Sequence, residues 1–182
     1  MSKKTGITVK KSENFSEWYT QLVEKAELAD VRYGVKGAIV YREWAQMSIE
    51  RMFSAMSDAL DKKDHMPICM PTLIPEKNFT IEADHVEGFT PEVYWVTEHG
   101  NGEKFEHKLA LRPTSETAFY QMYSLWIRSY KDLPYKRYQR ANVFRYEGKM
   151  TRPFFRGREF HWIESHNCFR NEEEARAQVK ED

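Results

Sequence analysis

Apolar positions recur at two periods along this chain, and the switches between them lay out its elements. Ala45, Ile49, Met52, Phe53, Met56 and Leu60 follow one helical stripe, which predicts a helix over 45–60. Phe15, Trp18, Leu22, Val23 and Ala26 keep the same period behind Asn14, which with Glu17 forms a capping-box pattern, so a helix is predicted from there towards Asp30. Phe119, Met122, Tyr123 and Trp126 mark a third helix, and Asn171 with Glu174 opens a fourth over NEEEARAQVKED. Elsewhere the period drops to two. EVYWVT (92–97) and FEHKLAL (105–111) predict a hairpin around the turn-rich loop 99–103, and 135–147 with 158–166 predict the arms of a longer one. MPICMPTLIPE (66–76) reads as a strand. Its prolines at 67, 71 and 75 cannot donate to a ladder, which places it at an edge or interface. Residues 31–41, with Gly34 and Gly37, predict a turn into a short extended piece; 78–90 read as irregular and 1–12 as a mobile leader. The order helix, strands, helix, long hairpin, helix is α+β, an antiparallel β-sheet flanked by helices.

In a strand, residues two apart share a face. That puts Arg158, Phe160, Trp162, Glu164 and His166 on one side of the second long arm, and Glu159, His161, Ile163 and Ser165 on the other. On the first arm it sets Arg145 beside Glu147. Antiparallel pairing of the arms gathers two cations, two carboxylates, two aromatic faces and a histidine above one surface. A core-facing strand would not carry that set; a small zwitterion next to a nucleotide suits it.

Composition narrows the class. A chain of 182 residues, 41% hydrophobic and 31% charged, is globular, of one-domain size and long enough for a real core. Its formal charge is zero, which argues against a general polybasic partner. The stretch 136–158 differs: Lys136, Arg137, Arg140, Arg145, Lys149, Arg152, Arg156 and Arg158 stand against Glu147 alone, the pattern of a polyanion-binding segment or of a solvated charged hairpin. Cys69 and Cys168 lie far apart without CxxC spacing, so neither a disulfide framework nor a metal knuckle is expected, and no metal site is assigned. No apolar run approaches the roughly 18 residues of a membrane span, and MSKKTGITVKK lacks the apolar core of a signal peptide. The expected address is cytoplasmic, with no membrane partner.

Four strings then combine. RPTSE (112–116), FRYE (144–147), RGREF (156–160) and WIESH (162–166) together resemble prolyl-tRNA synthetase, a class II aminoacyl-tRNA synthetase, of the archaeal and eukaryote-like type. The similarity runs from about Phe15 to the end. FRxE followed by RxxxF resembles class II motif 2, and RPTSE points to proline over the threonine, serine and glycine relatives. The helix 45–60 with the strand ending at Pro71 looks like motif 1, which in that family builds the homodimer interface. The family's motif 3 and anticodon-binding domain would lie beyond residue 182. The resemblance therefore implies that 13–182 is the first part of a catalytic domain, incomplete, with a last helix that has no partner after it.

The resemblance implies activation of L-proline with ATP and Mg2+, then transfer to tRNA(Pro), with little activity expected of this stretch alone. The carboxylate that attacks the α-phosphate is already ionised. Positioning and charge neutralisation, not a general base, then carry the step. By resemblance, Arg145 bridges the α-phosphate and the proline carboxylate, a task for a planar fork, and Arg156 holds the γ-phosphate. Phe160 stacks on adenine and Glu147 accepts from its amino group. Thr114, Glu116, Trp162, Glu164 and His166 form the proline pocket. Bland alternatives stand beside these. Arg145 and Glu147 suit a surface ion pair worth under about 1 kcal/mol, Phe160 core packing, RPTSE a helix start capped by Thr or Ser, and His166 a buried structural histidine. His65, His85, His99 and His107 are assigned nothing. Relatives usually carry Gly or Ala where Ser165 stands and a small hydroxyl residue where Asn167 stands; Ser165 falls opposite the pocket, so tolerance is expected. Two other functions remain open: a truncated, non-catalytic relative that binds proline, ATP or RNA as a sensor or partner subunit, and an RNA-binding module whose aromatics stack bases.

Overall fold

A computed structural model of the chain describes residues 6–83, 93–146 and 150–182. The chain divides into two compact units, Met1–Ser54 with Gly148–Glu159, and Ala55–Glu147 with Phe160–Asp182.

The first unit opens on helix α1, Phe15–Lys25, and the Asn14 side chain accepts from the Glu17 N–H at 3.0 Å. The helix stops short of Asp30. Ala26 caps it and Glu27 adopts a left-handed φ of 52°, after which the chain turns into β1, Ala29–Asp30. No glycine or proline marks that stop, so the apolar spacing overran it. Strand β1 pairs antiparallel with β2, Val40–Tyr41, the predicted extended piece. Between them Gly37 sits at φ +84°, where a Cβ would meet Arg158 Cγ at 2.6 Å, and Gly37 O accepts from the Arg158 N–H. The basic loop is fastened to α1: Arg152 donates to Ser16 O at 2.6 Å and lies over the Tyr19 ring, while Tyr19 Oη donates to Pro153 O at 2.8 Å. Residues ahead of α1 are tied to it by a bond from the Thr8 N–H to Gln21. Helix α2, Glu43–Asp61, carries the predicted stripe, yet only Ala45 and Ile49 are buried on it, and Met52 and Met56 stay exposed.

In the second unit MPICMPTLIPE yields two strands, β3, Met66–Pro67, and β4, Leu73–Pro75. Helix α3, Glu76–Ala83, follows where irregular chain was expected. Pro75 before its first turn and Glu76 within it favour a helix start, but no apolar stripe announces the helix. Residues 84–92 of that expected irregular stretch lie outside the described residues. The predicted hairpin is β5, Tyr94–Glu98, with β6, Lys104–Leu111, and α4, Glu116–Trp126, comes next. The long arms are β7, Tyr135–Phe144, and β8, Glu159–Cys168, and α5, Glu172–Glu181, ends the chain.

Two three-stranded sheets result, in the orders β3-β7-β8 and β4-β6-β5. Both proline-bearing strands sit at edges, as their missing N–H groups require. Pairing is antiparallel for β4 and β5 against β6, and parallel for β3 on β7. Arg137 bonds to Asn167 while Arg145 meets Phe160, so β7 and β8 run in opposite directions, as expected. Met70, Phe119 and Tyr123 form one core, and Ile74, Phe79 and Ala110 another. The expected alternation holds on the far face of β8. There Ser165 Oγ donates to Arg137 O, and Asn167 Oδ1 accepts from the Arg137 N–H at 3.1 Å, so both departures from the family pattern serve sheet pairing. Among the described residues no helix is long and apolar enough to cross a membrane.

Candidate active site

Everything at the site hangs on the corner between β6 and α4. Arg112 is buried there, and its guanidinium donates to Met70 O at 2.8 Å and Asn142 O at 2.7 Å. Its own N–H and C=O bond to Thr72 and Phe144, so one residue ties the corner to the β3–β4 connection and to β7. Ser115 takes the cap position of α4, but its hydroxyl makes no capping bond. It accepts instead from Gln139 Nε2 at 2.6 Å. The acceptor for the Ser115 N–H comes from β8: Glu164 Oε2, at 3.1 Å, sets a negative charge against the positive end of the helix.

Glu164 is 8% exposed and richly held. Gln139 Nε2 donates to Oε1 at 2.7 Å. Ser115 N–H, His166 Nε2 at 3.0 Å and Thr114 Oγ1 at 3.2 Å surround Oε2. Burial alone would raise the Glu164 pKa, but the hydrogen bonds from His166, Gln139 and Ser115 outweigh it and hold the carboxyl down to about 2. His166 must donate to a carboxylate, so its Nε2 carries hydrogen. Its ring lies 4.5 Å from Phe119 and 5.9 Å from Tyr120, and its backbone carbonyl accepts from Tyr123 Oη at 2.8 Å. The buried structural histidine weighed from the sequence is thus present, and it also faces the carboxylate cluster.

Thr114 Oγ1 stands between two carboxylates, in hydrogen-bond contact with Glu116 and 3.2 Å from Glu164. A hydroxyl has one proton. The two acids are therefore one donor short, which is an opening for a cationic N–H group. Glu116, Glu164 and His166 each bring a ligand atom to within 4.8 Å of the others. That spacing admits a cation, although Glu164 Oε2 already has three neighbours.

Beside the carboxylates lies the cation–aromatic part. Arg145, just past the end of β7, donates from Nε to Pro113 O at 2.9 Å. Its guanidinium carbon is 5.2 Å from the Trp162 ring centre and 5.7 Å from that of Phe160. The two rings meet nearly perpendicular, 5.9 Å apart at 80°. Thr114, Glu116, Arg145, Phe160, Trp162, Glu164 and His166 are thus gathered in the second unit, negative on one side and positive with aromatic walls on the other. Chemically this suits a zwitterion with an apolar body.

Glu147 lies outside the described residues. Arg156 belongs to the first unit, exposed, with its backbone paired to Arg152 at 2.7 and 2.9 Å. Arg158 precedes β8 and belongs to the first unit, where its side chain packs on Gly37. Sequence reasoning passed over Gln139 and weighed Ser115 only as a helix cap. Counting back by twos from Arg145 along β7 reaches Gln139, so the alternation held that signal.

Residues 94–181 match the tRNA synthetase class II core domain (G, H, P, S and T). The proline--tRNA ligase of Thermofilum pendens is 55% identical over 177 residues, 97% of this chain and 36% of that protein. That of Methanoculleus marisnigri is 48% identical over 181 residues, 99% and 37%. Among solved structures, Giardia lamblia prolyl-tRNA synthetase in complex with prolyl-adenylate superposes with a TM-score of 0.88 at 42% identity, over 92% of this chain and 34% of that one. The Cryptosporidium parvum enzyme complexed with halofuginone and AMPPNP gives 0.87 at 34% identity, over 99% and 36%. The chain thus spans about a third of the length of these relatives. In fold it is a class II synthetase core, and in sequence it is similar to about a third of the length of these prolyl-tRNA synthetases.

Proposed function

We propose that this chain supplies the imino-acid pocket and part of the nucleotide site of a proline--tRNA ligase, which forms prolyl-adenylate from L-proline and ATP and charges tRNA(Pro). The observation that carries the reading is the missing donor between Glu116 and Glu164. The secondary ammonium of proline brings two N–H groups and one positive charge to two carboxylates that share one hydroxyl proton. Trp162 offers its face to the ring, His166 closes the pocket behind Glu164, and Arg145 takes the carboxylate, bridging it to the α-phosphate. Attack then needs no base, because the nucleophile arrives ionised. Arg145 neutralises charge where it accumulates. Phe160 stacks on adenine, Glu147 accepts from its amino group and Arg156 holds the γ-phosphate; Mg2+ would arrive on the phosphate oxygens. The exposed methionines of α2 support a homodimer, and the cytoplasm is the proposed address.

L-proline titrated into the chain in a calorimeter should bind, and glycine should not compete. A protein of the relatives' full length should support proline-dependent ATP–pyrophosphate exchange. Exchange with no amino acid, together with nucleotide or RNA binding, would favour the non-catalytic reading.

A further inference from the structure

We infer that Gln139 is the positioning residue of the imino-acid pocket, holding Glu164 and the start of α4 in the register that recognises the ligand. Gln139 is 1% exposed, and every polar atom of its amide is used. Oε1 accepts from the Met70 N–H at 2.9 Å, a backbone donor that fixes which end of the amide is which. Nε2 then has both hydrogens on the far side, one for Ser115 Oγ at 2.6 Å and one for Glu164 Oε1 at 2.7 Å. A single side chain thus links the β3–β4 connection, the cap of α4 and β8.

With Oε1 of Glu164 engaged, Oε2 is aimed at Ser115 N–H, Thr114 and His166. Release Oε1 and the carboxylate can rotate, taking with it the acceptor that pairs with Thr114. The titratable and charged groups facing Glu164 are His166 on its own strand, Arg112 at the corner and, across Thr114, Glu116 at the start of α4. None of them reaches Oε1 among the described residues, so Gln139 alone sets that side. The inference rests on the proline reading above.

Two substitutions in the 182-residue chain test it. Gln139→Met keeps the length and removes all three bonds. Loss of one hydrogen bond to a charged group should weaken L-proline binding about tenfold near neutral pH. The 13C carboxyl titration of Glu164 should move up by about one pH unit. Gln139→Glu keeps the shape and the acceptor for Met70, but sets a second carboxylate against Oε1. One proton must then be shared, so its proline affinity should be poor at about pH 8 and recover towards about pH 5.5, while that of the unaltered chain changes little. Wild-type proline affinity and carboxyl titration in Gln139→Met, or a Gln139→Glu profile parallel to the unaltered chain, would overturn the inference. If Gln139→Met does not fold, the Gln139→Glu profile decides. If the unaltered chain binds no L-proline, the functional reading fails, and the ligand-free Glu164 titration still decides the role of Gln139.

Discussion

Acid should remove a defined amount of stability from this fold, and Glu164 is the group through which much of it goes. The carboxyl is held down to about 2 from an ordinary 4.5. Burial works against the charge, and the bonds from His166, Gln139 and Ser115 more than offset it. The unfolded chain therefore binds a proton that the folded one refuses between those values. Stability from this group is fully present above about pH 5 and is lost as pH falls through about 2. The gap of about 2.5 converts to about 3 kcal/mol. Since Glu164 is 8% exposed, solvent screening takes little from that figure. Glu164→Gln cannot titrate. It also turns an amide N–H2 towards one of the donors around the carboxylate, a fixed cost at every pH, so the pH dependence is the informative quantity. Urea unfolding followed by tryptophan fluorescence, on both proteins at several values between about pH 7 and pH 2.5, should show their difference shrinking by most of about 3 kcal/mol. Carboxyls outside the cluster, such as half-buried Asp30 and exposed Asp132, titrate in both proteins and cancel. A difference that stays constant across the range would refute the placement of Glu164 as an ionised, hydrogen-bonded partner of the α4 cap.

Three further outcomes are expected. Arg145→Ala, in a protein of the relatives' full length, should abolish proline-dependent exchange while leaving the circular dichroism spectrum unchanged, because its one bond to the protein is to Pro113 O among the described residues. Trp162→Ala should raise the proline requirement of that exchange far more than the ATP requirement; equal changes would contradict the ring's place in the pocket. Gly37→Ala should destabilise the first unit by about 1–3 kcal/mol, since it combines a left-handed φ with a Cβ driven into Arg158, and a thermal melt reads the loss.

Legibility in the sequence followed the strength of each local pattern. The stripe on α2, the β5–β6 hairpin and the proline-marked edges were readable because each rests on a periodic or stereochemical signal confined to a few residues. Helix α3 was not, because it lacks an apolar stripe. The end of α1 was not, because Glu27 enters the left-handed region without a residue type that advertises it. At the site, alternation gathered Phe160, Trp162, Glu164 and His166 on β8; Arg158, which it set on the same face, precedes the strand and packs on Gly37 in the first unit. RPTSE shows a third kind of limit. A helix start was legible, and Ser115 is its cap residue. That the capping acceptor would be Glu164, 49 residues on, depends on a strand pairing no local window contains.

That substitution of a distant carboxylate for a local cap separates the roles of the two acids. Glu164 is satisfied on both oxygens by the protein itself, from Gln139, Ser115 and His166. Among the described residues the Glu116 carboxylate accepts from Thr114 alone, which leaves it acceptor capacity for a ligand. An incoming secondary ammonium therefore meets both carboxylates, with more acceptor room on Glu116 than on Glu164. Glu164 acts by fixing Thr114 and adding charge from behind. On this argument truncating Glu116 should weaken proline binding with little change in stability, whereas altering Glu164 must disturb both. The fold can hold two negative groups at this corner because one of them is already spent on the α4 cap.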